Sequence, residues 1–373
     1  MSRLISRVES ARWVRYAFPA MLFALAFLPR AIEPVSRPLV WYLRSAHFID
    51  AVMAGDWAST VYSEHPGVTL MWPVGVGLKL YWMLSGITPA AESVPPGFEA
   101  IHFFGPVPVA EIAAALLPLA LLISSGIVVV YFLLRRLFDG TTATIAAVLL
   151  ALSPYYLAQS KILHLDAWLA TLMLVSSLTM LLYCRERRTR WLLLSAALGG
   201  LALLIKPTAL FLVPFCGLVL LAHTTRNTRY ETPSSHDVSR FTPYVLRSLL
   251  ICLVFPLVVW LLGAAVVYLA LWPAMWVDPG RALRAVVEGG ILRHASSAHD
   301  TPALFLGRVT YEDPGPLFYV VSMLFRTGEV ELLFSIVAMV PGGIHLLRRR
   351  RLSAAGLDYL LLLAYVIFFL AQM

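Results

Sequence analysis

Charged residues and cysteines are both scarce in this sequence. Only 13% of the 373 residues are charged and 60% are hydrophobic, whereas a soluble domain is about one quarter charged and half apolar. This composition excludes an ordinary soluble enzyme, a disordered tail and a nucleic-acid-binding module. The three cysteines, Cys184, Cys216 and Cys252, are far apart and form no CxxC pair. They therefore predict neither a disulfide framework nor a metal site.

Several motifs that mark enzyme classes are also missing. The sequence has no Walker loop, no G-x-S-x-G and no G-x-G-x-x-G after a strand, so nucleotide-driven and serine-hydrolase chemistry lack support. No H-E-x-x-H zinc motif occurs either, and the histidines within residues 273–328 are not closely spaced. The sequence leaves a requirement for a divalent cation open.

Long apolar runs dominate the sequence and predict an all-α polytopic membrane protein. We expect about nine spans within one domain covering residues 1–373. The runs cover residues 16–28, 112–134, 141–156, 167–183, 191–205, 208–222, 249–271, 332–347 and 359–370.

The formal net charge of +8 indicates how the chain is oriented in the membrane. Four arginines precede the first apolar run within 15 residues, and no A-x-A-like cleavage site follows it, so we predict an uncleaved span with a cytoplasmic N-terminus. Basic residues then flank every second apolar run. Residues 30–110 and 273–328 consequently form two long outer loops, which hold most of the carboxylates. We predict a multi-pass protein of the inner (plasma) membrane.

Ionisable residues stand out at three places near the predicted outer surface. Glu64 and His65 precede a proline and an aromatic run that suits an interfacial helix, although a solvated turn would also explain them. Asp166 begins a span and lies within six positions of Lys161 and His164. A helix cap explains Asp166 as readily as a functional site does.

Lys206 is a charged residue inside an otherwise apolar stretch, and Pro207 follows it directly. Broken helices with a charge at the break are tolerated where they line a cavity. A cation at this point could bind a phosphate, while the simpler interpretation is a lysine that extends to the membrane surface.

The sequence resembles the family 39 glycosyltransferases in four segments that occur in the family's order. This family includes the dolichyl-phosphate-mannose protein mannosyltransferases and the bacterial aminoarabinose transferases that modify lipid A. The segments are WYLRSAHFIDAVMAGDWASTVYSEHPGVTLMW (residues 41–72), SKILHLDAWLATLMLVSSL (160–178), GLALLIKPTALFLVP (200–214) and EDPGPLFYVVSMLFR (312–326).

The resemblance implies a C-type glycosyltransferase (GT-C) helical bundle, with interfacial helices in the first outer loop and a polyprenyl-phosphate-linked sugar as donor. It places Glu64 and His65 on the family's acid-plus-basic pair before proline. Asp166 matches the acid at the start of the fourth span, and Lys206 matches a lysine thought to face the donor phosphate.

Two departures from the family pattern stand out. Family members usually carry an Asp-Glu pair shortly before the segment matching residues 41–45, where this chain has Ser36-Arg37-Pro38. The nearest upstream acid is Glu33, which we take as the candidate substitute. Family members also continue through further spans, so we expect the chain to be truncated at Met373.

These features predict an inverting transfer on the extracytoplasmic side. We expect Lys206, helped by Lys161 or Arg326, to stabilise the leaving polyprenyl phosphate. Glu64 or Asp166 would orient or deprotonate an acceptor hydroxyl or amine on a lipid, glycan or protein, with His65 bridging acid and donor.

Two other functions stay open. A flippase or transporter of lipid-linked sugars would also use a broken helix, and a non-catalytic family member would explain the missing Asp-Glu pair. The sugar itself is not determined by the sequence.

Overall fold

The computed structural model is an α-helical bundle, which confirms the predicted fold class. It describes residues 12–35, 39–89, 107–231, 247–293, 302–311, 315–337 and 353–370. The α-helices are α1 Arg12–Ala31, α2 Val40–Ala54, α3 Val68–Ser85, α4 Val109–Leu137, α5 Gly140–Leu152, α6 Pro154–Ser160, α7 Asp166–Glu186, α8 Thr189–Leu203, α9 Leu212–Glu231, α10 Phe255–Leu271, α11 Ala274–Val277, α12 Pro279–Arg284, α13 Pro316–Arg326 and α14 Ala354–Leu370.

Shorter elements connect these helices. Trp57–Thr60 and Pro207–Phe211 form 3-10 helices, while Leu250–Val254 and Ala285–Arg293 are π-helical. Ala303–Phe305 and Arg308–Thr310 pair as a small antiparallel hairpin in the last predicted outer loop.

Within the described residues, four helical stretches are long and apolar enough to cross a membrane: Val109–Leu137, Asp166–Glu186, Pro207–Arg226 and Arg247–Leu271. Other predicted runs form shorter helices. The run over 332–347 is helical as far as residue 337, and its remainder lies outside the described residues.

The predicted span over residues 141–156 consists of two helices, α5 and α6, separated by a bend. The chain bends by 54° between α5 and α6, and Ser153 at the bend has an extended ψ of 117°. Pro154 explains the bend, because a proline disfavours helical geometry at the residue before it. The bend points α6 toward the segment that leads to Asp166.

Helix α7 occupies the centre of the bundle. Its most apolar stretch is 83% buried, against 17% for α10, and it packs on α4, α8 and α9. Small buried side chains among larger ones, such as Ser176 and Ser177 beside Leu178, allow this close packing. A polar residue at the end of α7 is therefore held by the most buried of the four span-length helices in the described residues.

In the described part of the first predicted outer loop, helices α2 and α3 pack on each other, and α3 packs on α4. The buried Glu111 of α4 joins them, since its Oε2 accepts hydrogen bonds from the Tyr42 hydroxyl (2.5 Å) and the Trp82 indole (3.1 Å). This arrangement confirms helices in the loop where interfacial helices are predicted.

Segments predicted on the same side of the membrane contact one another. At one end of the bundle, the Val35 amide donates to the Lys161 carbonyl (3.1 Å), and the Trp272 indole donates to the Thr60 carbonyl (3.2 Å). At the other end, Arg136 of α4 pairs with Glu186 of α7. The predicted outer and inner segments thus separate to opposite ends, while the orientation in the membrane stays a prediction.

Candidate functional site

Lys206 lies at a break between α8 and the 3-10 helix that begins at Pro207. Proline has no amide hydrogen and holds the preceding residue extended, and Lys206 has φ −153° and ψ 140°. Its side chain is one quarter exposed, and its Nζ lies 3.4 Å from Oδ1 of Asp166. A lysine that only extends to the membrane surface would not be paired with the acid that begins the central helix.

Asp166 is the first residue of α7, but it makes no capping bond there: the N-cap position is Leu165, and it has no side-chain cap. Its carboxylate instead bridges two nitrogen groups, the Lys206 ammonium Nζ at Oδ1 and the His164 imidazole Nδ1 at Oδ2, the second at 3.2 Å. The carboxylate is about half exposed, so a substrate can reach the pair. The geometry favours a functional site over a cap.

The loop that carries Glu64 and His65 is attached directly to the helix break. The amides of Gly67 and Val68 donate to the carbonyls of Ile205 (3.1 Å) and Leu204 (2.8 Å). These carbonyls lack helical partners because the helix ends there. The two bonds bring a predicted outer loop to within a few residues of Lys206.

Gly67 is essential to this contact for a steric reason. Its φ is +64°, and a Cβ there would lie 2.1 Å from the ring of Trp41. Glycine alone tolerates this backbone conformation without cost. The ring of Trp41 therefore packs flat against the loop and fixes its position.

A polar network supports the same loop. The Ser63 hydroxyl donates to the His65 carbonyl (2.8 Å) and accepts from Nη1 of Arg44 (3.2 Å), whose guanidinium lies over the ring of Trp41 at 4.8 Å. Sequence reasoning missed Arg44, because a single arginine in the helix before the loop belongs to no motif that would indicate its contact with Ser63. It adds a cation to the segment that carries Glu64.

The phenol of Tyr62 stays protonated near this segment. Burial, followed by the negative charges of Asp56 and Asp50, raises the pKa of Tyr62 well above its usual range. The hydroxyl is thus a hydrogen-bond donor over the whole physiological range of pH.

The π-helical segment Ala285–Arg293 closes the other face of the Glu64 loop. Gly289 and Gly290 lie against Glu64, and Gly290 also approaches Pro207. Sequence reasoning missed this pair, although two adjacent glycines in an outer loop are a signal of close backbone approach.

A second contact joins the segment that follows Glu33 to the segment that begins at Lys161. Val35 and Ile162 form an isolated parallel bridge, which brings the chain after Glu33 beside the segment that runs from Lys161 to Asp166. Glu33 itself is exposed and has a left-handed φ of 52°. Residues Ser36, Arg37 and Pro38, where the family's Asp-Glu pair is expected, lie outside the described residues.

Arg326 ends α13 and lies over the ring of Tyr155 at 5.3 Å. This contact places it at the start of α6, some way along the chain from Lys161. The structure therefore brings Asp166, Lys206 and the Glu64–His65 loop together, whereas the contact described for Arg326 is with Tyr155. Among the described ranges, no cluster of three or more His, Cys, Asp or Glu side chains is arranged to hold a metal ion.

Residues 100–260 match the family model of the dolichyl-phosphate-mannose-protein mannosyltransferases. The match covers Asp166, Lys206 and the helices that carry them, and it confirms the resemblance inferred from the sequence. It supports a membrane glycosyltransferase of the GT-C type. No curated protein matches the chain in sequence.

Proposed function

From the family match over residues 100–260, we propose that the chain transfers a sugar from a polyprenyl-phosphate donor to an acceptor on the extracytoplasmic side, with inversion at the anomeric carbon. The observation that carries the proposal is the contact of Lys206 with Asp166 at a helix break, beside a loop with a second acid.

The chemistry needs charges of both signs in one place. Breaking the bond between the anomeric carbon and the phosphate oxygen develops positive charge on the sugar and negative charge on the departing lipid phosphate. A lysine aimed at the phosphate stabilises the second of these charges. Lys206 is partly exposed and comes from a break in a span, so a phosphate at the membrane surface can reach it.

We assign different tasks to the two acids. Both oxygens of Asp166 already have partners, Lys206 and the His164 imidazole, so its task is to hold these two side chains in place. Glu64, on the loop bound to residues 204 and 205, is the acid that orients or deprotonates the acceptor hydroxyl or amine. His65 bridges this acid and the donor.

The supporting cations act on the lipid phosphate from the neighbouring segments. Lys161 lies in the same segment as Asp166, and Arg326 is held on Tyr155 at the start of α6. Glu33 is the reserve acid if the acceptor approaches from the side of the Val35–Ile162 bridge.

The test is sugar transfer by purified protein in lipid nanodiscs, with a panel of polyprenyl-phosphate sugars and lipid, peptide and glycan acceptors. Lys206→Met should reduce turnover by about 10²–10³-fold, the usual cost of removing one group that stabilises transition-state charge. Lys79→Met is the matched control, because Lys79 also pairs with an aspartate (2.9 Å from Asp50) but on an exposed face of the first outer loop.

Glu64→Gln and Asp166→Asn test the two acids separately. Glu64→Gln should lower turnover with little change in donor affinity, whereas Asp166→Asn should also weaken donor binding because Lys206 loses its partner. Transfer that survives all three substitutions would refute the assignment. Movement of labelled donor across vesicles without any transfer would indicate a transporter instead.

A further inference from the structure

We infer that Gly290 is a positioning residue, which sets the distance between the Glu64 segment and the helix break that carries Lys206. The inference rests on the proposed function and adds a part of the chain that lies outside the family match, which ends at residue 260. It concerns the backbone of the last predicted outer loop.

Gly290 touches both parts of the candidate site at once. A Cβ at this position would lie 2.6 Å from the carbonyl oxygen of Glu64 and 3.0 Å from Cγ of Pro207, which follows Lys206. No real side chain tolerates the shorter of these distances. The site thus depends on a backbone without a side chain at this point.

Gly289 makes a related contact with Glu64 alone. A Cβ there would lie 2.7 Å from Cβ of Glu64 and 3.5 Å from its Cα. Rotation of the Glu64 side chain does not move its Cβ, so an alanine at position 289 would also displace the Glu64 segment. Gly290 differs because its substitution would press on both the Glu64 carbonyl and Pro207.

The Glu64 segment cannot retreat freely from Gly290. On its other side the amides of Gly67 and Val68 are bonded to the carbonyls of Ile205 and Leu204, and the Thr69 hydroxyl donates to the carbonyl of Leu201 (2.7 Å). Any movement away from Gly290 must stretch these bonds or carry the helix break along. Both responses change how Glu64 faces Lys206.

The π-helical form of Ala285–Arg293 accounts for the close approach. A π-helix adds a residue to the turn, and such segments occur mostly as single turns that are frequently found at functional sites. Here the turn presents Gly289 and Gly290 to the Glu64 loop. The last outer loop thus contributes to the site through its backbone, without a reactive side chain.

The size of the effect follows from the distances. Ordinary contact begins at 3.4 Å, whereas the Cβ of an alanine at position 290 would lie 2.6 Å from a main-chain oxygen, so the backbone must move by about 0.8 Å. Misplacement of a reacting group by about 1 Å can cost about 10²-fold in rate.

The experiment compares Gly290→Ala, Gly289→Ala and Gly280→Ala in the full chain in nanodiscs. Gly280 is the control, since a Cβ there would meet only Oδ1 of Asp278 at an ordinary 3.8 Å. We expect Gly290→Ala to lower kcat by about 10²-fold with the donor KM changed less than kcat, Gly289→Ala to have a smaller effect, and Gly280→Ala to match the wild type.

Hydrogen–deuterium exchange of residues 63–69 provides a readout that does not depend on activity. The amides of Gly67 and Val68 should exchange faster in Gly290→Ala than in Gly280→Ala, because their bonds to the helix break are stretched. If Gly290→Ala fails to fold, Gly289→Ala takes its place in both measurements, and wild-type values for it would overturn the inference.

The outcomes separate the inference from the proposed function. Wild-type kcat and unchanged exchange in Gly290→Ala would overturn the inference, as would equal loss of kcat and donor affinity. If the wild type transfers no sugar, the proposed function fails, and the exchange of residues 63–69 alone decides whether Gly290 positions the loop.

Discussion

Removal of the charge on Asp358 should destabilise the protein strongly, because this carboxylate is fully buried at the end of the bundle opposite the candidate site. Asp358 belongs to α14, and it pairs with Arg185 at the end of α7 and with His223 of α9, whose Nε2 lies 2.8 Å from Oδ1. One carboxylate thus joins three helices.

The magnitude follows from what Asp358→Asn would leave behind. Removing one partner of a buried ion pair costs about 3–5 kcal/mol, since the other partner stays buried without compensation. The Arg185 side chain keeps 20% exposure and can recover some hydration, whereas His223 keeps only 3%. We therefore expect the free energy of unfolding to fall by about 2–4 kcal/mol.

The assay is reversible unfolding in mixed micelles, followed by tryptophan fluorescence. Asp50→Asn is the matched control, because Asp50 pairs with Lys79 while half exposed, and such surface pairs contribute about 0–1 kcal/mol. Equal losses for Asp358→Asn and Asp50→Asn would refute the reasoning. That result would mean that α14 does not dock on α7 and α9 as described.

Two further substitutions test the loop and a helix cap. Gly67→Ala should cost far more stability than Gly55→Ala in thermal unfolding, because both glycines have positive φ but only at Gly67 would a Cβ meet a ring, that of Trp41; equal losses would contradict this. Asp139 accepts bonds from the Thr142 amide (2.9 Å) and hydroxyl (2.7 Å) at the start of α5, so Asp139→Ala should cost about 1 kcal/mol and Asp139→Asn less. The bond from the Thr142 amide, followed by the bond from its hydroxyl, lowers the pKa of Asp139. The stability that the cap contributes should therefore be present above the pKa of the carboxyl in the unfolded chain, and it should disappear as the pH falls through the lower pKa of the folded state. A difference in stability between wild type and Asp139→Ala that does not change with pH would argue against this assignment.

Hydrophobic runs and basic flanks were sufficient to predict most of the bundle from sequence. A span must bury its apolar side chains and satisfy its own backbone, so a run of apolar residues leaves few alternatives to a helix. The bend before Pro154 escaped this reasoning, since the apolar pattern continues across it. The proline was the available signal, and its geometric effect outweighs hydropathy there.

The candidate site was less accessible to prediction, because its parts come from distant places in the chain. Asp166 and Lys206 could be found individually, as charges where apolar residues are expected. Their contact depends on how α7 and α8 pack, which hydropathy does not specify. Arg44 acts through a hydroxyl contact, which leaves no pattern in a single sequence. Gly290 acts through a missing side chain, and the pair of adjacent glycines was the available signal.

The position of Lys206 shows why the break in the span matters more than the charge. In a continuous helix, the carbonyls of Leu204 and Ile205 would bond within the helix and could not accept from Gly67 and Val68. Pro207 ends the helix, and those carbonyls then hold the Glu64 loop. One break thus exposes a cation and holds the loop that carries Glu64. A variant that restores a continuous helix should therefore disturb the Glu64 loop even though it leaves every charge in place.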